Sequence, residues 1–316
     1  MNVLSLFDGM SCGRLALERA GFPITNYFAS EIDKYAITVA KANFPDTIHI
    51  GDVTGVKPED LPDIDLLIGG SPCQGFSFAG KQLNFDDPRS KLFFEYVRLL
   101  KALKPKYFLL ENVNMKKEYQ DVISDLLGCK PVDINSNRVS AQNRRRLYWT
   151  NIPVHALPEN KHIYLKDILE DGFTDREKSH CIDANYFKGG NLKSYFQKNR
   201  RQLVFDFDDP KQTGLQLAGE ADLKGHGYNR RVYHPDGKAP TLAAASGGNL
   251  EPKILQDNFL VSEMKWRKLT PIECERLQTV PDNYTNHVSN TQRYRMLGNG
   301  WTIDVICYLL EGMRNG

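Results

Sequence analysis

Three times near its start this chain runs from a short apolar stretch into an acidic residue. Val3 to Phe7 leads into Asp8-Gly9-Met10-Ser11-Cys12-Gly13, and Leu15, Leu17 and Ala20 then mark a helix that stops at Gly21. Tyr27 to Ile32 carries Glu31 at its carboxyl end, ahead of Asp33 and a helix through Phe44. Ile48 to Ile50 leads to Gly51-Asp52-Val53. Strand, turn and helix repeated in this way build a parallel α/β sheet, and such sheets bind ligands outside the carboxyl ends of their strands. Asp8, Glu31 and Asp52 are therefore predicted along one edge.

The turn after the first strand lets backbone approach a ligand, because glycine lacks a Cβ. The helix that follows presents its N-terminus to a carboxylate or phosphate. Its Gly-x-x-x-Gly spacing is neither the full dinucleotide fingerprint nor a P-loop, so a purely structural turn fits equally well. Glu31 falls where an acid holds ribose hydroxyls in nucleotide-binding sheets, whereas helix capping suits Asp33 better. Three acids, with no lysine or arginine in these loops to grip a phosphate, suit a cationic nucleoside. S-adenosylmethionine, with its sulfonium and amine, fits better than NAD or ATP.

The next apolar run, Ile64 to Ile68, ends in Gly69-Gly70-Ser71-Pro72-Cys73-Gln74-Gly75-Phe76-Ser77. Pro72 fixes φ and removes a donor, so the turn carrying Cys73 is stiff. A thiol on a rigid turn at a sheet edge serves as a nucleophile, while one in a core packs as a small hydrophobe. Phe78 to Gln82 and Asp86 to Arg89 are polar and contain glycine, which predicts a lid over the site. Phe93, Val97 and Leu100 give one buried face of a helix that ends before Pro105.

Tyr107 to Leu110 closes in Glu111-Asn112-Val113. A glutamate ending an apolar run is costly to bury ionised unless partnered or partly protonated. A general acid and a salt-bridged structural glutamate both fit that setting. Further on, Ala141-Gln142-Asn143-Arg144-Arg145-Arg146 runs into the strand-like Leu147-Tyr148-Trp149. Alternation along a strand sends Arg144 and Arg146 to one face and Arg145 to the other.

From 173 to 285 apolar periodicity weakens and aromatic and basic residues interleave, as in Tyr195-Phe196-Gln197-Lys198-Asn199-Arg200-Arg201. That mixture suits phosphate contacts and base stacking. The expected organisation is a domain formed by 1–172 and 286–316, with 173–285 inserted as a smaller, loop-rich domain. Pro271 to Gln278 reads as a helix. Gly298-Asn299-Gly300 reads as a loop before a terminal helix from Ile303 to Leu310.

Charge says little about partners: Lys+Arg 41 against Asp+Glu 39 leaves +2, so any site for a polyanion is local. The six cysteines (Cys12, Cys73, Cys129, Cys181, Cys274, Cys307) show no metal-ligand spacing, which points away from a metal site and toward a reducing compartment. No apolar run approaches ~20 residues and the start lacks a basic leader, so a cytoplasmic protein is expected.

Taken in order, Pro72-Cys73-Gln74, Glu111-Asn112-Val113, the Gln-x-Arg-x-Arg of Gln142 to Arg146 and the Gly298-Asn299 loop resemble the DNA (cytosine-5) methyltransferases. The resemblance spans nearly the whole chain outside the insertion. It implies a Rossmann-like S-adenosylmethionine-dependent domain, a mixed sheet flanked by helices, with an inserted target-recognition domain. It implies Cys73 as nucleophile on cytosine C6, Glu111 on the base's Watson–Crick edge, Arg146 on its O2 side and Arg144 orienting the site. Phe7, Asp8, Gly9 and Gly13 then hold the methionine part of the cofactor, Glu31 its ribose, and Asp52 with Val53 its adenine. Ile32, Pro72, Leu92, Asn299 and Gly300 complete the cofactor set, and S-adenosylhomocysteine is the product. Gln74, Ser77, Lys81, Gln82, Lys198, Arg200, Arg201, Arg230 and Arg231 are the expected DNA contacts.

Phe7-Asp8-Gly9-Met10-Ser11-Cys12-Gly13 is one residue longer between glycines than the usual Phe-x-Gly-x-Gly-Gly. Both it and Gly70-Ser71-Pro72-Cys73 are closer to the animal de novo branch. The absence of that branch's reader domains points to a bacterial or phage enzyme, a monomer acting on duplex DNA, with a cognate restriction endonuclease as a further expected partner. The alternatives are a tRNA cytosine-5 methyltransferase, whose Cys-Phe-Thr segment is missing here, and a non-catalytic DNA-binding relative.

Overall fold

The computed structural model describes residues 1–71, 88–198, 200–205, 217–220, 231–233, 253–254 and 266–314. They form two compact units: residues 1–168, 176–189 and 269–316 make the first, and 169–175 with 190–268 make the second.

The first unit is built on a seven-stranded sheet. In chain order its strands are β1 (Asn2–Leu6), β2 (Asn26–Ser30), β3 (Ile48–His49), β4 (Leu66–Gly69), β5 (Tyr107–Val113), β6 (Val132–Asn135) and β7 (Arg145–Thr150). Their order across the sheet is β3-β2-β1-β4-β5-β7-β6. The first five strands run parallel, and β7 is antiparallel to both neighbours. The order reverses between β1 and β4, which opens a crevice at their carboxyl ends where ligands settle in such sheets.

Helices α1 (Cys12–Arg19), α2 (Lys34–Asn43), α3 (Pro88–Leu103) and α4 (Lys117–Leu127) connect the strands. Alternation along β1 sends Leu4 and Leu6 to one face, where they meet Phe93, Tyr96 and Val97 of α3 in the main apolar core. On the other face Gly13 of α1 abuts Ile68 of β4, and any Cβ there would come within 2.2 Å of its Cδ1. Asp33 caps α2 by accepting from the Tyr35 amide at 2.9 Å.

The chain returns to this unit as α5 (Pro271–Leu277), α6 (Asn290–Asn299) and α7 (Ile303–Glu311). Thr270 and Glu273 form a reciprocal capping box at the start of α5. α6 takes in Gly298 and Asn299 of the expected Gly-Asn-Gly loop, and Arg293, Tyr294, Met296 and Leu297 are buried on one side of it. Glu111 to Val113, read as following their strand, belong to it: β7 pairs with them along their length. Residues 176–189 and 269–285, read as parts of the insertion, pack within the first unit. Their polar character serves internal bonds: Ile182 donates its amide to Gln142 Oε1 at 3.3 Å, and the Gln278 amide nitrogen donates to the Leu297 carbonyl at 2.7 Å.

The second unit holds an antiparallel pair, Leu203–Phe205 with Trp266–Lys268, and a three-stranded sheet of Leu217–Glu220, Arg231–Tyr233 and Lys253–Ile254. Tyr195, Leu203 and Phe205 form its core with Phe173 and Leu192.

Candidate active site

A cavity of about 380 Å³ opens at the carboxyl ends of β1, β4 and β5. Its described walls are the β1 turn (Phe7, Asp8, Gly9, Met10, Cys12), Glu31 and Asp33 after β2, Gly70 and Ser71 after β4, and Glu111 to Val113 on β5. Ala36 of α2, Arg144 and Arg146 of the β7 region, and Arg295 to Trp301, less Leu297, complete it.

One end is acidic. Asp8 is buried and accepts from the Tyr27 hydroxyl at 2.7 Å and from Ser11 Oγ at 2.5 Å. Burial raises its pKa above the ordinary aspartate value, against the opposing hydrogen bonds from Ser11, Ser5 and Tyr27. Glu31 is fixed by backbone amides: Gly9 donates to Oε2 at 2.8 Å, while Ile32 and Asp33 donate to Oε1 at 2.7 and 2.8 Å. The β1 turn is bent for this contact, with Phe7 at φ 58°, Gly9 at 59° and Ser11 at 62°.

The other end is built around Glu111 and the arginines. Arg146 Nε lies 3.0 Å from Glu111 Oε1 in an ion pair, and Oε2 accepts a hydrogen bond from the Trp301 indole N–H at 3.1 Å. Arg144 is buried, and its guanidinium donates to three carbonyls: Ile182 at 3.1 Å, Gly298 at 3.2 Å and Gly300 at 2.8 Å. Arg145 turns to the opposite side and holds Asp133. Gln142 is fully buried and donates to the Leu277 carbonyl and the Gln278 amide oxygen, both at 2.9 Å.

Cys181 lies between the two inward arginines, with its sulfur 3.3 Å from Arg144 Nη1 and 3.9 Å from Arg146 Nη2. The residue as a whole is exposed while its sulfur is hemmed in. That crowding raises the thiol's pKa, but the two positive charges outweigh it and the net shift is downward. The Asn112 side chain donates to Ser71 Oγ at 3.3 Å, so the described chain reaches the cavity wall two residues before Cys73.

The structure brings Phe7, Asp8, Gly9, Glu31, Glu111, Arg144, Arg146, Asn299 and Gly300 onto this one cavity. It places other expected residues elsewhere. Gly13 is a packing glycine against Ile68. Val53 is buried in the main core, Leu92 packs against that core, and Ile32 is 74% exposed beside the cavity residue Glu31. Asp52 caps a short turn by accepting from the Thr54 amide at 2.9 Å. Lys198, Arg200, Arg201 and Arg231 belong to the second unit, and Lys198, Arg200 and Arg231 are exposed there. Pro72, Cys73, Gln74, Ser77, Lys81, Gln82 and Arg230 lie outside the described residues, as does the expected lid up to Asp87. Among the described residues no group of His, Cys, Asp and Glu is placed to hold a metal ion.

Sequence reasoning passed over Trp301, Cys181 and Arg295. Trp301 is two residues beyond the Asn299 of a recognised motif, and only its neighbourhood signalled a role. Cys181 had no signal at all, since nothing in its flanks predicts a return to the arginine motif.

Comparison with known proteins identifies the chain's relatives. The chain is 30% identical over 328 residues to the type II methyltransferase M.HhaI of Haemophilus parahaemolyticus, covering 98% of this chain and 93% of that protein. It is 31% identical over 323 residues to M1.ScrFI of Lactococcus lactis subsp. cremoris, covering 98% and 77% respectively. The fold matches the methyltransferase EhMeth of Entamoeba histolytica with a TM-score of 0.69 at 17% identity, covering 100% of this chain and 98% of that one. The sequence profile of the C-5 cytosine-specific DNA methylases matches residues 1–315, so the chain belongs to that family.

Proposed function

We propose that this methyltransferase flips a cytosine out of a short specific sequence in duplex DNA and methylates C5 through a covalent adduct of Cys73 at C6. The observation that carries the reading is the Arg146–Glu111–Trp301 cluster on the wall that Ser71 joins just before the Pro72-Cys73 pair. C5 and C6 are stacked inside a duplex, so the base must leave the stack to be reached.

The cavity suits S-adenosylmethionine: Asp8 and Glu31 supply an acidic end, and no lysine is among its described walls. Asp8 and Gly9 would receive the amino acid part and Glu31 the ribose, with Asn299 and Gly300 on the opposite wall. When bound, S-adenosylmethionine supplies an electrophilic methyl group. Cys73 adds as thiolate to C6, which makes C5 enamine-like and nucleophilic toward that methyl. Negative charge builds toward N3 as the sulfur adds, and Glu111, acting as proton donor on the Watson–Crick edge, protonates N3 as that charge forms. Arg146 neutralises the O2 side, and Arg144 holds the surrounding loops in place. A base then takes the C5 proton, the freed electron pair re-forms the C5–C6 double bond and expels Cys73 as thiolate, and N3 returns its proton to Glu111.

The second unit would act as the target-recognition domain, with Lys198, Arg200, Arg201 and Arg231 contacting phosphates. Among the described residues no helix is long and apolar enough to cross a membrane. A cytoplasmic monomer that works on DNA, alongside a cognate restriction endonuclease, is the setting that suits such an enzyme.

Duplex DNA with 5-fluorocytosine in place of cytosine tests the covalent step, since fluorine cannot leave as the C5 proton does. With S-adenosylmethionine present, a stable complex should form and peptide mass spectrometry should place the link on Cys73. A complex that still forms with Cys73→Ser, or none with wild type, would refute it.

A further inference from the structure

Glu111 has two partners, and one of them has no role in the chemistry described above. Arg146 Nε pairs with Oε1 across 3.0 Å, and the Trp301 indole N–H donates a hydrogen bond to Oε2 at 3.1 Å. A carboxylate oxygen has two acceptor positions, so the ion pair and the indole bond together hold the carboxylate while a position on Oε2 stays open. An indole N–H is a neutral single donor that cannot itself donate and accept along a base edge. It orients the carboxylate without competing for the substrate.

The placement of Trp301 is itself braced. The preceding carbonyl, Gly300, accepts from Arg144 at 2.8 Å and from Gln278 at 3.2 Å. The following residue, Thr302, donates its hydroxyl to Gln278 Oε1 at 2.8 Å. Trp301 is only 9% exposed, so the indole is fixed from both sides of the chain. Opposite it, Gly70 leaves the space the pair occupies. A Cβ at that position would lie 3.0 Å from Trp301 Nε1 and 3.2 Å from Glu111 Oε2.

We infer that Trp301 is a positioning residue for Glu111, with Gly70 as the clearance that lets their hydrogen bond form. The inference rests on the functional reading above. Hydrogen bonds to a charged group are among the stronger ones. Trp301→Phe keeps the ring and removes the donor. It should slow single-turnover methyl transfer by roughly 10- to 100-fold, while the Kd for S-adenosylmethionine changes less than about two-fold. Gly70→Ala crowds the same bond while leaving both partner side chains unchanged in sequence, and should slow transfer in the same direction.

The decisive readout is a double-mutant cycle. If Trp301 acts through Glu111, Trp301→Phe costs nothing further in a Glu111→Ala background, measured in long single-turnover incubations. An equal fall in both backgrounds would make Trp301 a packing residue and overturn the inference, as would an unchanged rate in Trp301→Phe with Glu111 present. A wild-type enzyme that transfers no methyl overturns the functional reading and this inference with it.

Discussion

Arg146 reaches Glu111 diagonally across two antiparallel strands. Arg146 of β7 sits opposite Val113 of β5, and Glu111 sits opposite Tyr148, yet Arg146 Nε lies 3.0 Å from Glu111 Oε1. Residues two apart on a strand share a face, so the pairing register alone puts both groups on the cavity side. A one-residue slip of β7 would replace Arg146 with Arg145 and lose the contact. Arg146→Gln should retain the fold and lower kcat by about 100-fold or more, as removal of a preorganised charge donor does. Steady-state kinetics beside circular dichroism checks it; a kcat near wild type would deny Arg146 a catalytic role.

Arg144 answers to a different test. Its guanidinium joins the 176–189 segment to the end of α6 through the carbonyls of Ile182, Gly298 and Gly300. Arg144→Ala leaves these acceptors without their donor and should cost about 3 kcal/mol of stability, lowering Tm by roughly 5–10 °C. Arg146→Gln, at the cavity surface, should move Tm much less. Thermal melts of the two variants side by side separate the roles.

Much of this arrangement was readable in the sequence. Asp8 and Glu31 at strand ends and the alternation of Arg144, Arg145 and Arg146 follow from local pattern, because strand period and strand-end position are local properties. What was not readable depends on packing between distant segments. Residues 290–299 lack an obvious apolar stripe, since Arg293 is buried against Glu275 at 3.1 Å and not exposed as an arginine usually is. Gly13 reads as a ligand glycine until Ile68, far along the chain, is seen beneath it. Cys181 and Ile182 look like part of a loop-rich insertion until Arg144 and Gln142 are seen to bind them.

Asp8 gives the cavity a pH dependence. Burial raises its pKa, so it loses its charge at a higher pH than an ordinary aspartate. Affinity for a cationic cofactor is full while Asp8 is ionised and falls as pH drops through that raised value. Stability of the cofactor-free protein moves the other way, because the fold favours the protonated form and gains as pH falls through the same window. Calorimetry over a descending pH series should therefore show S-adenosylmethionine binding weaken at a higher pH than an ordinary aspartate would allow. In Asp8→Asn, binding should be weaker throughout and nearly independent of pH over the same series. An unchanged slope in Asp8→Asn would place the titrating group elsewhere.

Cys181 should react with electrophiles ahead of the buried thiols. Arg144 and Arg146 favour its thiolate, whereas burial pushes Cys12 up to about 12 and Cys307 up to about 11. In Cys73→Ser protein at pH 7, iodoacetamide should label Cys181 first, and its rate should fall off at lower pH than that of a free cysteine. Peptide mapping of a labelling time course reads this directly. Preferential labelling of Cys12 or Cys307 would contradict the arrangement of the arginines around the sulfur.

The most direct measurement of the central claim is methyl incorporation from labelled S-adenosylmethionine into mixed-sequence duplex DNA, followed by bisulfite sequencing of the product. The expected result is 5-methylcytosine confined to one short sequence context, abolished by Cys73→Ser. Incorporation that survives Cys73→Ser, or none from a wild-type enzyme that binds S-adenosylmethionine, would contradict it.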